Sequence, residues 1–174
     1  PKDLLQTSLR PILSNLGSFQ KLTLPVLETL AHLLELCTSY FSVKLGEQLL
    51  DHLRKWTEPT KITHLAPKDK PIVAANIMNL FSLLPPDAKK FLDNLVRNTL
   101  LLENAWQDTC TDLSSPFREP LAKFLNLYPR DTIEYFLGNY ETPKPGALYE
   151  VSQPSPPFEQ PLFKLFISIL KSSF

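Results

Sequence analysis

The sequence predicts an all-α fold, a solenoid of about four stacked antiparallel helix pairs. Three observations point there. Leucine dominates the apolar residues and only four of the 174 residues are glycine, a composition that favours helices over turn-rich sheets. Apolar residues recur at helical spacing along most of the chain. The starts of alternate helices fall at a nearly constant interval.

The 3.6-residue period gives eight helices: Asp3–Ser18, Leu24–Cys37, Lys44–Trp56, Pro71–Leu83, Pro86–Gln107, Pro116–Leu127, Arg130–Leu137 and Phe158–Lys171. Seventeen prolines seem at odds with this, but most sit where a helix would start or a connection run, as Pro25, Pro85, Pro86, Pro116 and Pro129 do. Pro11 falls inside the first helix and should kink it. In the third helix Leu45, Leu49, Leu53 and Trp56 form one stripe, with His52 at its edge, while Lys44, Glu47, Asp51 and Lys55 take the opposite side. Leu92, Leu95, Val96, Thr99 and Leu102 form a second stripe, and Leu121, Phe124, Leu125 and Tyr128 a third. The second helix is apolar on more than one side, with Val26, Leu33 and Leu36 beside Leu27, Leu30, Ala31 and Leu34. Such a helix is expected to lie between neighbours.

The first members of successive pairs start near residues 3, 44, 86 and 130, about 41, 42 and 44 residues apart. That interval lies within the roughly 40–47 residues of HEAT and armadillo repeats. A closed eight-helix bundle is the competing arrangement. Short antiparallel hairpins buried on both sides favour the solenoid. Residues 1–174 then form one helical-repeat segment of a much larger chain, as the opening Pro1 also suggests, with 57–70 and 141–157 as inter-helix loops. Prolines 143, 145, 154, 156 and 157 give the second loop an extended character.

Eighteen basic and eighteen acidic side chains balance, which argues against a general nucleic-acid surface. Cys37 and Cys110 stand in no metal-like or disulfide-framework spacing, as expected in a reducing compartment. No apolar run approaches the roughly 18 residues that span a bilayer. Gly17, Gly46, Gly138 and Gly146 are too dispersed for a phosphate loop. His32 and Cys37 do not share a helical face, and His64 falls in a loop, so no metal site is expected. Neighbouring Asp51 and His52 point about 100° apart. Asp51 can pair at i,i+4 with Lys55 instead, and Asp87, Asp93 and Glu103 mix with Lys89, Lys90 and Arg97 on a solvated face. No catalytic residue, cofactor or metal is expected. The apolar tail residues Phe163, Leu165, Phe166, Ile167, Ile169 and Leu170 surround their helix, which suits packing against a following repeat.

The runs LLQTSLRPILSNL, LTLPVLETLAHLLELCTSYFSVKLGEQLLDHLRKW, LFSLLPPDAKKFLDNLV and SPFREPLAKFLNLYPRDTIEYFL, in this order and spacing, resemble the helical-repeat region of the TRRAP family of giant pseudokinases. The resemblance covers most of residues 3–138 and, more weakly, the last helix. Its departures are Cys37, where a larger apolar residue is expected, and the proline-rich stretch from Glu141 to Pro157. It implies a non-catalytic HEAT-type scaffold in the nucleus, within histone acetyltransferase co-activator complexes such as SAGA, whose partners are transcription activators, complex subunits and neighbouring repeats. Neither sequence-specific nucleic acid nor membrane is an expected partner. A nuclear transport receptor, or a helical region of an active kinase of the wider superfamily, would share the helical pattern. The most concentrated positive charge is Arg54, Lys55, Lys61, Lys68 and Lys70, a candidate surface for steering acidic activation segments.

Overall fold

The computed structural model describes residues 21, 23–37, 43–58, 70–106, 115–139 and 167. The expected first helix, nearly all of the last one, Lys61, His64, Lys68, Cys110 and the loop 141–157 lie outside the described residues. Six α-helices occur among those described: α1 (Leu24–Cys37), α2 (Val43–Lys55), α3 (Lys70–Phe81), α4 (Leu92–Ala105), α5 (Arg118–Asn126) and α6 (Pro129–Asn139). A 3-10 turn, Pro86–Phe91, leads into α4.

Helix boundaries follow local chemistry. The expected single helix from Pro86 to Gln107 is divided, a 3-10 turn over Pro86–Phe91 preceding the α-helix that begins at Leu92. The chain instead closes i,i+3 bonds, Ala88 N–H donating to Pro85 O at 2.8 Å, before α4 begins. The C-terminus of α3 tightens in the same way. Ser82, Leu83 and Leu84 donate three residues back, so the α-helix ends at Phe81 rather than Leu83. Pro116 and Phe117 form a turn before α5, where Ser115 Oγ accepts from Phe117 N–H at 3.3 Å.

The helices build two layers. Helices α1, α3 and α5 lie side by side in one, with α3 touching both neighbours; α2 and the 86–105 stretch lie side by side in the other. Between layers α2 meets α3, α4 meets α5, and α5 meets α6. Contact of α1 with α3, of α2 with α4 and of α3 with α5, each with the second one along, is what a stack of helix pairs produces. The first members start at Val43, Pro86 and Pro129, two steps of 43 residues.

Both layers contribute to one core. Leu45, Leu49, Leu53 and Trp56 are buried as their stripe predicts, and His52 is buried with them rather than left at the edge. Phe81 of α3 meets Phe91 of the 3-10 turn edge-on (centroids 5.7 Å) and Phe124 of α5 (6.4 Å); Phe124 in turn meets Tyr128 (5.2 Å). This aromatic line crosses from one repeat to the next. Leu36 departs from the sandwiched reading of α1, since it is 81% exposed at the helix end. Around the core, Arg118 donates twice to the Glu103 carboxylate (2.8 and 3.3 Å), tying α5 to α4 in a sheltered position. Trp106 Nε1–H donates to Trp56 O at 3.1 Å, linking the ends of α2 and α4.

Gly46 lies inside α2, where alanine would raise helix propensity by about 1 kcal/mol. Its position is set by close approach: a Cβ there would stand 2.8 Å from Phe91 Cζ and 3.1 Å from Leu84 Cδ1. Gly138 is exposed near the end of α6, with nothing within 4 Å of a Cβ.

The two glycines should respond oppositely to alanine. Gly46→Ala should destabilise the stack by about 1–3 kcal/mol, since the ring must shift in a packed core, whereas Gly138→Ala should stabilise by up to about 1 kcal/mol. Amide hydrogen exchange in α2 and α6 of the intact polypeptide checks both signs. Phe124→Ala should cost about 3–5 kcal/mol. It should therefore speed exchange in α3 and α5 together by about 100-fold or more, and acceleration confined to α5 would contradict the shared core.

Candidate functional site

The outer face of the first-member layer carries most of the described charge. Between α2 and the start of α4 runs an open groove of about 320 Å³, lined by Glu47, Leu50, Asp51, Arg54, Lys90, Phe91 and Asn94. Its floor is apolar, because Leu50 and Phe91 are buried where the two repeats meet. Its rim is charged, because the i,i+3 and i,i+4 spacing of Glu47, Asp51 and Arg54 puts them on the exposed side of α2.

The rim charges are mutually engaged. Lys90 Nζ lies 2.8 Å from Glu47 Oε1 and 5.0 Å from the Phe91 ring centroid. That hydrogen bond and the ammonium charge hold the Glu47 carboxyl below its ordinary range. Arg54 donates to Asp51 at 3.3 Å and to Asn94 across the groove at 3.5 Å. A general acid or base working near neutral pH needs a pKa moved toward 7. Glu47 is moved the other way. The arrangement suits presentation of charge over an apolar floor to another polypeptide.

The next junction repeats the pattern. Tyr135 O–H of α6 donates to Asp93 Oδ1 of α4 at 3.0 Å, and Arg97 donates to the same oxygen at 2.7 Å. Burial, then the Asp93 carboxylate, pushes the Tyr135 hydroxyl up to about 12. Lys89 Nζ stands 3.6 Å from Asp131. Glu47 and Lys90 are 43 residues apart, Asp93 and Tyr135 42, and Arg54 and Asn94 40. Polar partners therefore recur about one repeat apart.

Of the residues that the sequence marks as basic candidates, Arg54 and Lys55 sit exposed in the last turn of α2, and Lys70 is the half-buried first residue of α3 rather than part of the preceding loop. Lys61 and Lys68 lie outside the described residues. Asp51 pairs with Arg54 at i,i+3, where the sequence suggests Lys55 at i,i+4. Reading each helix by itself misses the groove partners Lys90, Phe91 and Asn94. Pairing opposite charges one repeat apart was the available signal. His32 is exposed, 3.6 Å from Glu35. Among the described residues no group of three or more His, Cys, Asp or Glu side chains could hold a metal ion, and no helix is long and apolar enough to cross a membrane.

Comparison with known proteins places this geometry. Residues 1–152 match the family model described as the Tra1 HEAT repeat ring region. The chain is 42% identical over 144 residues, 80% of its length, to the SAGA complex/NuA4 acetyltransferase complex subunit TRA1 of Saccharomyces cerevisiae. It is 39% identical over 165 residues, 92% of its length, to the probable transcription-associated protein 1 of Dictyostelium discoideum. To the human transformation/transcription domain-associated protein it is 32% identical over 157 residues, covering 78% of its length. The chain spans about 4% of the length of each of these relatives. A two-layer stack with a 43-residue step, matched in this way over most of its length, belongs to the Tra1 HEAT-repeat ring family.

Proposed function

We propose that these residues are a non-catalytic scaffold segment of a nuclear transcription co-activator subunit that works within a histone acetyltransferase complex, binding activators and other subunits. The observation that carries this reading is the match of residues 1–152 to the HEAT repeat ring of a family whose yeast members are named as subunits of SAGA and NuA4 acetyltransferase complexes. The geometry is in keeping with it. Stacked helix pairs expose long lateral faces, and the groove at the α2–α4 junction has engaged charges over an apolar floor, which suits protein contact better than turnover. In the same reading Arg54, Lys55, Lys61, Lys68 and Lys70 attract acidic activation segments, with a contribution that fades as salt screens it.

Affinity purification of the intact polypeptide from nuclear extract, followed by mass spectrometry at moderate salt, tests the assignment. Acetyltransferase subunits should co-purify; a small GTPase with cargo proteins and no acetyltransferase would instead mark a transport receptor. Reversing the five basic residues to glutamate should lower capture of an acidic activation segment at low ionic strength while acetyltransferase subunits still co-purify. Unchanged capture removes those five side chains from the account.

A further inference from the structure

Helix α3 has α1 on one flank and α5 on the other, so the surface it leaves open is a lateral face and not an end of the stack. From Pro71 to Phe81 every residue is buried except Ile72, Asn76 and Asn79. These three stand at i, i+4 and i+7, one stripe along the helix, which the half-buried Leu83 continues at i+11. In α5 the exposed residues Glu119, Lys123 and Asn126 repeat the same spacing, with buried residues between them. Phe81 and Phe124 meet at 6.4 Å, which brings the C-terminal parts of the two helices together. Asn79 and Asn126 are the last members of the two stripes there.

This face differs in chemistry from the outer face of α2 and α4. The α3 stripe carries no charge, and on α5 the Lys123 ammonium lies 2.8 Å from the Glu119 carboxylate, so their charges cancel locally. Asparagine is a poorer helix former than the lysine, glutamate or alanine that suits a solvated stripe. The Asn76 amide turns back on its own helix, donating to Ile72 O at 3.0 Å. The half-buried Asn79 side chain makes no hydrogen bond to another described residue; only its main-chain oxygen is engaged, by Ser82. A side-chain amide offers both donors and an acceptor, the complement of one peptide unit.

The spacing selects the conformation of the ligand. Packed helices lie about 8–10 Å apart. A polyproline-II chain rises about 9 Å in each three-residue turn and has no internal hydrogen bonds, so it presents an open main-chain N–H and C=O to each successive helix. A β-strand repeats every two residues, about 7 Å, and falls out of step. We propose that Asn79 and Asn126 are successive rungs of a track that reads the main chain of a polyproline-II segment of a partner protein, uncharged where it crosses and with an aliphatic side chain against Leu83. It rests on the scaffold reading only in taking a polypeptide as the ligand, and it uses the face opposite the groove.

Fluorescence anisotropy with the intact polypeptide tests this, the probe being a labelled peptide of repeated Pro-Pro-Val units. Binding should saturate, and its affinity should not change as salt is raised, because no charge is involved. Asn79→Leu and Asn126→Leu should each weaken it about tenfold. Methylating the valine nitrogens of the peptide, which leaves the protein untouched, should abolish it. No saturable binding, equal affinity after methylation or after both substitutions, or loss of binding at high salt would each overturn the proposal. Neither acetyltransferase subunits nor the basic side chains enter this readout, so it and the scaffold reading fail separately.

Discussion

The close approach of Gly46 to the Phe91 ring sets the distance at which successive repeats stack. Without a Cβ on α2, Phe91 can enter the junction and also touch Phe81, which in turn reaches Phe124 in the following pair. Each aromatic belongs to a different element, so the core is shared between repeats rather than closed within them. A glycine that weakens its own helix is thereby offset by packing that only the stacked state provides.

Register along the outer layer is held by polar contacts at the same junctions. Lys90 with Glu47, Arg54 with Asn94, Tyr135 with Asp93 and Lys89 with Asp131 all bridge successive first-member helices. Exposed ion pairs contribute little stability individually. Their effect is directional: a sliding or rotated neighbour would place like charges together, as with Lys89 and Lys90 against Arg54. The second-member layer stacks differently. From Pro71 to Pro86 the chain carries no charged side chain, and Val73, Ile77, Leu80 and Phe81 of α3 are all buried, Phe81 against Phe91 and Phe124. Apolar packing thus sets the spacing on one side, and charge sets alignment on the other.

Much of this was legible in the sequence, because the governing patterns are local. The stripe Leu45, Leu49, Leu53 and Trp56 specifies which side of α2 is buried, and helical spacing, with a starting proline at Pro129, brings these two first members within a residue of their observed positions, 44 against Val43 and 130 against Pro129. Two features were less accessible. The 3-10 start at Pro86 is a change of hydrogen-bond pattern within one apolar stretch, which periodicity does not register. The groove depends on contacts about 40 residues apart, for which the single-helix rule offered Asp51 with Lys55 while the fold pairs Asp51 with Arg54 and brings Asn94 to it. The basic candidates show the same limit, since a charge count does not reveal that Arg54 already bonds two groups or that Lys70 opens a helix.

The central claim is that the first members form an open row rather than one ring around a closed core. Spin labels at the exposed positions Lys44, Asp87 and Arg130, 43 residues apart in sequence, in the intact polypeptide measure this directly. Helices packed side by side lie about 8–10 Å apart. The 44–87 and 87–130 separations should therefore be short and similar, with 44–130 about twice as long. Three comparable separations would contradict the row and indicate a closed bundle.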